Sequence, residues 1–408
     1  MATKVMQGVR ILEVAQFTFT PAAGAILADW GADVIKIEHP ERGDGARGMM
    51  TIGEVVIEAE SNPMVQHANR GKRSVGIDIA TPEGYAVLME LVQSADVFLT
   101  NLLPPTREAL KIEVEDLRKV NLRIVYARGS AFGSLGEERN RGGYDGTVYW
   151  LHGGVAHAIT PESSKPPLAF TIGGFGDSVG AMNLAGGISA ALLRRERGGE
   201  VPVVDVSLMG TAAWVTGIYT NTALQTGFAP RARDPMLGPV PVNPFIGNFE
   251  CSDGVVIGMF MLQPGPLIRD TFTHLGLPEA ADDPRFATAE SLIANGAAAG
   301  ELISQAFASQ PGSYWREHLK TMKGQWAEFR STLDLVNDPQ ALANNLTVEI
   351  QTASGKTIRV VRGPVQFDHN VPDSSGAPQV GEHTELVLAE LGIDWDRIEQ
   401  LKAKGAIT

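Results

Sequence analysis

Short apolar runs alternate along the chain with stretches of helical period. Residues 9–14 (Val-Arg-Ile-Leu-Glu-Val) read as a buried strand. Thr20 as N-cap and Pro21 at the first helical position predict a helix over residues 22–30, stopped by Gly31. Residues 33–38 (Asp-Val-Ile-Lys-Ile-Glu) form the next strand, so the chain opens as β-α-β and predicts a parallel sheet. The alternation continues with strands at 74–79, 97–99, 124–127 and 201–206. Helices fall at 81–94, started by Thr81-Pro82-Glu83, and at 114–119 and 179–194. This order predicts an α/β fold with a Rossmann-like parallel-sheet large domain over residues 1–207.

A long connecting helix is predicted at 208–225, within a linker spanning 208–230. Residues 226–244 are rich in Pro, Gly and Arg and lack periodicity. Beyond them a strand at 255–257 and helices at 302–308 and 313–321 predict a smaller α+β domain over 231–336. Residues 337–408 read as a segment returning to the large domain, with strands at 347–351 and 357–361, a Pro-rich stretch at 364–378 and a final helix at 382–391. No internal repeat is visible.

The 408 residues, 44% of them hydrophobic, suffice for two cores. A net charge of −13 argues against a nucleic-acid partner, which needs a concentrated cationic surface. An anionic ligand must therefore be held by a few placed groups. No run approaches the ~20 apolar residues of a membrane span, and residues 1–6 lead into the first strand with no signal-like run, so a cytosolic protein is expected. Cys251 is the only cysteine, which excludes an internal disulfide and a CxxC site; its strand-to-turn context predicts a buried apolar residue. The eight histidines show no metal-binding spacing, so no metal is expected.

Glu38, at the end of the second strand, stands where a nicotinamide enzyme carries its ribose-binding acid. The first loop, Gln16-Phe17-Thr18-Phe19-Thr20-Pro21, nonetheless lacks the glycines that let a backbone approach a pyrophosphate, and no Walker A run exists. A different Gly-rich turn, Gly173-Gly174-Phe175-Gly176-Asp177-Ser178, precedes the apolar helix containing Gly180, Ala181, Gly186 and Gly187. Asp177 then has two readings. As an N-cap it would accept a backbone N–H and face the positive end of the helix dipole. Pointing into a cleft, the same carboxylate would be a nucleophile, kept ionised at neutral pH by a low pKa. The backbone pattern does not decide between them.

Several motifs in order resemble those of the family III CoA-transferases. They are Leu27-Ala28-Asp29-Trp30-Gly31-Ala32-Asp33-Val34-Ile35-Lys36-Ile37-Glu38, Asn69-Arg70-Gly71-Lys72-Arg73-Ser74 with Asp78 and Thr81-Pro82-Glu83-Gly84, and Gly381-Glu382-His383-Thr384. The resemblance covers nearly the whole chain and implies that Asp177, with Gly176 beside it, is the catalytic aspartate. It would form an aspartyl-acyl mixed anhydride and then an aspartyl-CoA thioester, with amides of the Gly-rich turn as oxyanion donors. It further implies acyl-CoA and a carboxylic acid as substrates, no permanently bound cofactor, and an interlocked homodimer. Coenzyme A would contact Gln16, Thr18, Phe19, His39, Ile77, Asp78, Asn101, Leu102, Gly142, Gly143 and Asp145. Arg42, Arg47, Arg73 and Arg107 are candidates for its phosphates.

Related α-methylacyl-CoA racemases carry a Gly-His-Asp run where this chain has Gly143-Tyr144-Asp145. Tyr144 removes the imidazole that would shuttle the α-proton, which favours transferase chemistry. A racemase, or a non-catalytic CoA-ester binder in which Asp177 is only a cap, are the alternatives. The chain departs from the family pattern at Phe19-Thr20-Pro21, at 238–244 in place of a Gly-rich flap, and at 323–329, where Trp326 and Phe329 would either wall an acyl pocket or join a core.

Overall fold

The β-α-β opening is present in the computed structural model as β1 (Arg10–Val14), α1 (Phe19–Asp29) and β2 (Asp33–Glu38); the structure describes residues 3–165, 168, 173–233, 243–371 and 374–408. A short exposed hairpin, β3 (Thr51–Ile52) and β4 (Val55–Val56), and α2 (Pro63–Asn69) precede β5 (Arg73–Gly76). Then come α3 (Pro82–Ser94), β6 (Val97–Thr100), α4 (Pro104–Ala109), α5 (Val114–Arg118), β7 (Val125–Ser130), α6 (Val155–Ile159), α7 (Phe175–Glu196) and β8 (Val203–Ser207). The six-stranded sheet has the order β5-β2-β1-β6-β7-β8, and every neighbouring pair is parallel. This is the doubly wound Rossmann order, whose ligand crevice lies beyond the carboxyl ends of the strands where the winding reverses, here between β1 and β6.

Strand alternation explains the two cores. Leu12, Val14, Ile35, Ile37 and Phe98 face one side, against Val87, Leu88 and Leu91 of α3. Ile11, Val34, Val97, Leu99 and Val125 face the other, against α1 and α7. Strands buried on both faces are why these segments read as near-continuous apolar runs.

Helix α1 begins at Phe19, earlier than the expected residue 22, and Thr18 occupies the cap position without a side-chain bond. Pro21 fits anywhere in the first turn, where its missing N–H would have no helical partner, and Thr20 is buried. The predicted connecting helix is divided into α8 (Leu208–Val215) and α9 (Gly217–Thr226). At the break the Thr216 hydroxyl donates to the Ala212 carbonyl at 2.9 Å and a glycine follows. The helix expected at 382–391 spans Thr384–Glu390, and a further one, Trp395–Ala403, follows it with Asp394 as N-cap.

Contacts divide the chain into one unit of residues 1–160, 166–230 and 339–408, and another of 161–165 and 231–338. The second unit holds a three-stranded antiparallel sheet, β9 (Ile246–Glu250), β10 (Val256–Phe260) and β11 (Trp326–Glu328), over an aromatic core that includes Phe249, Phe272 and Phe307. Cys251 is buried there, and burial pushes its thiol up to about 11. Trp326 packs on this core with its indole N–H on the Leu319 carbonyl, whereas Phe329 is 83% exposed. The flap-replacing segment at 238–244 lies, for residues 238–242, outside the described residues. Among the described residues no helix is long and apolar enough to cross a membrane.

Candidate active site

The crevice at the switch point is built by the loop after β1. Asn101, just past β6, clamps Gln16 on both sides: its Oδ1 accepts the Gln16 N–H at 3.0 Å and its Nδ2 donates to the Gln16 carbonyl at 2.7 Å. Phe17 follows at φ 64°, a left-handed conformation that costs a non-glycine residue about 1–2 kcal/mol. A cavity of about 590 Å³ runs from this loop to Asp177. Gln16, Thr18, Phe19, Asn101, Leu102 and Arg107 line it, as do Gly142, Gly143 and Tyr144.

Asp177 enters that cavity from the first turn of α7, which starts at Phe175 after Gly174 in the left-handed region. The glycines set how closely the turn can pack. A Cβ on Gly176 would lie 2.2 Å from the Tyr149 ring, and one on Gly180 would lie 2.5 Å from the Phe19 ring. Capping falls to Asp145, whose carboxylate accepts the N–H groups of Gly176 (2.7 Å), Gly174 (3.1 Å) and Asp177 (3.3 Å), together with the Trp150 indole N–H (3.1 Å). Asp145 reaches back because it opens a π-helical turn, Gly146–His152, and Gly143 before it leaves space that a Cβ would contest with Val148 at 2.3 Å.

The Asp177 carboxylate has no hydrogen bond or ion pair among the described residues, so it is not the cap. Burial, and then the negative charge of Asp145, push it up to about 7. This overturns the expected low pKa. The amides that would have stabilised the charge at the helix start are already spent on Asp145, and burial outweighs the dipole. The same bonds remove the amides of Gly174, Gly176 and Asp177 as free oxyanion donors. Beside Asp177, the Ser178 hydroxyl donates to the Gly174 carbonyl at 2.9 Å and lies 3.3 Å from Nε2 of His67, whose pKa is lowered to about 4 by burial and by Arg70.

A second cavity of about 530 Å³ shares Gln16 and Leu102 with the first, and brings together His39, Arg42, Ile77 and Asp78. His39 Nδ1 accepts the Glu41 and Arg42 amide hydrogens, which leaves the ring proton of the neutral imidazole on Nε2, 3.9 Å from Asp78 Oδ2. The other arginine candidates are committed elsewhere. Arg47 holds Glu38 through two bonds of 2.8 Å, which together with the Ser74 hydroxyl accounts for the buried acid that had suggested a ribose site. Arg73 pairs with Asp33 and Glu390 at the amino-terminal ends of β5 and β2, the edge opposite the crevice. Arg107 lines the first cavity but is buried against Glu113 (2.9 Å) and the Leu102 carbonyl (2.5 Å). Arg128, Arg139 and Arg141 line that cavity and went unrecognised in the sequence. Arg128 pairs with Asp205, and Arg141 pairs with Glu138 and lies over the Phe132 ring.

Comparison with known proteins places the chain in a family. The sequence model described as CoA-transferase family III matches residues 6–384. The chain is 29% identical over 399 residues to the (R)-2-hydroxy-4-methylpentanoate CoA-transferase of Clostridioides difficile, spanning 98% of both chains. It is 29% identical over 407 residues to the cinnamoyl-CoA:phenyllactate CoA-transferase of Clostridium sporogenes, spanning 98% of this chain and 96% of that one. A crystal structure of a CAIB/BAIF family protein from Brucella suis superposes with a TM-score of 0.79 at 26% identity, covering 95% of this chain and 99% of the other. The chain is therefore an enzyme of CoA-transferase family III.

Proposed function

We propose that the enzyme moves coenzyme A from an acyl-CoA thioester to a free carboxylic acid, with Asp177 as the covalent carrier. The observation that carries this reading is an unpartnered carboxylate, partly buried in a cavity that opens on the switch-point crevice. A carboxylate Oδ attacks the thioester carbon, the C–S bond breaks, and CoA thiolate leaves a mixed anhydride. The thiolate then attacks Cγ of Asp177, the donor acid departs as its carboxylate, and an aspartyl-CoA thioester remains. The acceptor carboxylate attacks Cγ and expels CoA thiolate, which attacks the new acyl carbon and restores the Asp177 carboxylate. No net proton is exchanged. Desolvation makes the ionised carboxylate more basic and thus a stronger nucleophile, while only the ionised fraction reacts.

Coenzyme A runs across the two cavities in this reading. Its adenosine phosphates lie near His39 and Arg42, and pantetheine passes Gln16 and Leu102. Asp145 positions Asp177 and Gly176 provides the close approach to Tyr149. Tyr144 lines the acyl end, and a phenol there supports transfer over α-proton exchange. The homodimer expected from the family fits the exposed apolar side chains Trp214, Ile218 and Leu224 on α8 and α9, which a second copy would cover.

The test combines an acyl-CoA and carboxylate panel read by mass spectrometry with hydroxylamine trapping. Wild type should exchange CoA and accumulate a hydroxamate at residue 177 in the presence of acyl-CoA, and Asp177→Asn should do neither. Equal transfer by the two proteins would refute the mechanism. Exchange of the α-proton with deuterium in the absence of an acceptor acid would move the assignment to a racemase.

A further inference from the structure

The loop that divides the two cavities is held by a buried charge network which the chemistry above does not use. Lys36, from β2, places its ammonium 3.0 Å from Glu13 Oε1, 2.8 Å from the Ala15 carbonyl and 2.9 Å from Asp44 Oδ2. The Lys36 and Glu13 side chains are fully buried and that of Asp44 is 1% exposed. The other oxygen of Asp44 accepts the N–H groups of Phe17 and Ala46, each at 2.9 Å, and the Asp44 N–H donates to Glu38 Oε1 at 3.0 Å. Successive residues of the loop are thus pinned from three directions: Ala15 by Lys36, Gln16 by Asn101 and Phe17 by Asp44.

What this fixes is a conformation the chain would not choose unaided. Phe17 sits at φ 64°, where glycine or asparagine would be unstrained. The ring explains the choice of residue. It meets the Tyr144 ring edge-on at 5.5 Å, and it lies so close to Gly45 that a Cβ there would be 3.0 Å from Phe17 Cζ. Tyr144 is 64% exposed and has only this aromatic neighbour among the described residues. The strained backbone therefore aims the ring that backs Tyr144 at the cavity rim, a pattern met where geometry serves a ligand.

We propose that Asp44, held by Lys36, is a positioning residue for coenzyme A binding, acting through the left-handed Phe17 and its contact with Tyr144. The inference rests on the CoA-transferase reading, because the ligand crossing this loop is taken to be coenzyme A. Asp44 belongs to the wall of the second cavity, but its carboxylate is turned inward onto Lys36 and the amides of Phe17 and Ala46; it fixes the path of residues 15–17, and thereby where Gln16 and the Phe17 ring stand at the mouth between the cavities.

Free coenzyme A is the probe, with affinity measured by titration calorimetry and transfer kinetics run in parallel on wild type, Asp44→Asn, Phe17→Gly and the double variant. Asp44→Asn keeps an acceptor for the Phe17 amide but sets a neutral amide against the Lys36 ammonium. Each single variant should weaken coenzyme A binding about tenfold, raising KM more than it lowers kcat. The double variant should be no weaker than the worse single one, since both act through the same loop. Phe17→Gly relieves strain and removes no buried polar group, so it keeps the test decisive even where Asp44→Asn folds poorly. A Phe17→Gly enzyme that binds coenzyme A as tightly as wild type overturns the proposal, and so do single effects that multiply in the double variant. Failure of the wild type to bind coenzyme A would take down the functional reading and this proposal together, and is told apart by that control.

Discussion

Neutralising the nucleophile should make the protein more stable at the pH where it works. The Asp177 carboxyl rises from 3.8 to about 7 in the folded chain. The folded state therefore binds this proton more tightly than the unfolded state between those values, and stability falls as pH rises through that window. A rise of this size corresponds to roughly 4 kcal/mol if no screening applied. Asp177 is only partly buried, and solvent screening reduces the figure to about 1–2 kcal/mol. Asp177→Asn keeps the shape without the charge. Scanning calorimetry of both proteins should show the variant unfolding about 2–4 °C higher near pH 8, with the difference shrinking towards pH 4 as the native carboxyl becomes protonated. The variant should be inactive throughout. A variant whose advantage does not change with pH, or which is less stable near pH 8, would show that the carboxylate is well solvated and that the argument from burial and Asp145 is wrong.

The same titration predicts that kcat/KM for transfer climbs tenfold per pH unit below about 7 and levels off above it; a profile flat down to about pH 5 contradicts it. Gly176→Ala drives a Cβ to 2.2 Å from the Tyr149 ring and should cost about 1–3 kcal/mol, more than the roughly 1 kcal/mol that alanine gains in helix propensity. A lowered melting temperature with loss of transfer is the expected reading, and an unchanged one would mean the turn is loosely packed. Arg42→Ala should weaken coenzyme A binding about tenfold and reduce its salt dependence. Arg73→Ala, at the far edge of the sheet, should leave affinity unchanged while lowering stability, and a reversed pattern would relocate the phosphate site.

The sheet was legible because parallel strands covered on both faces are apolar in most positions, and the helices between them carry their own start signals. Single-residue boundaries were less so. Pro21 marks a helix start but not which of its first positions it occupies, and nothing local announces that Thr216 will bond back to Ala212. Trp395–Ala403 does carry a signal, Asp394 before an amphipathic turn, beyond the helix expected at 382–391. At the site, the glycines around Asp177 stood out because they are contiguous. The pairing of the arginines did not, since Arg73 meets Glu390 317 residues away and Arg47 meets the Pro378 carbonyl 331 residues away. The raised Asp177 pKa was hidden for the same reason: the carboxylate that consumes the turn amides sits 32 residues earlier and arrives through a π-helical turn with no sequence signature.

The split of the large unit around residues 231–338 has a consequence for synthesis on the ribosome. Val387, Leu388, Ile393, Ile398, Leu401 and Ile407 belong to the same buried cluster as β1, β2 and α3, and Ile407 bridges Ile77 beside the outermost strand. Until those residues emerge, one face of the nascent sheet is covered only in part, by α3 and α5, while the inserted unit, continuous in sequence but for residues 161–165, is already fully translated. Folding order is then inverted relative to the usual amino-terminal-first vectorial scheme. The exposed edge at β5 is the surface a chaperone would shield, and truncation within residues 384–407 should leave a nascent chain that aggregates through its first-made half.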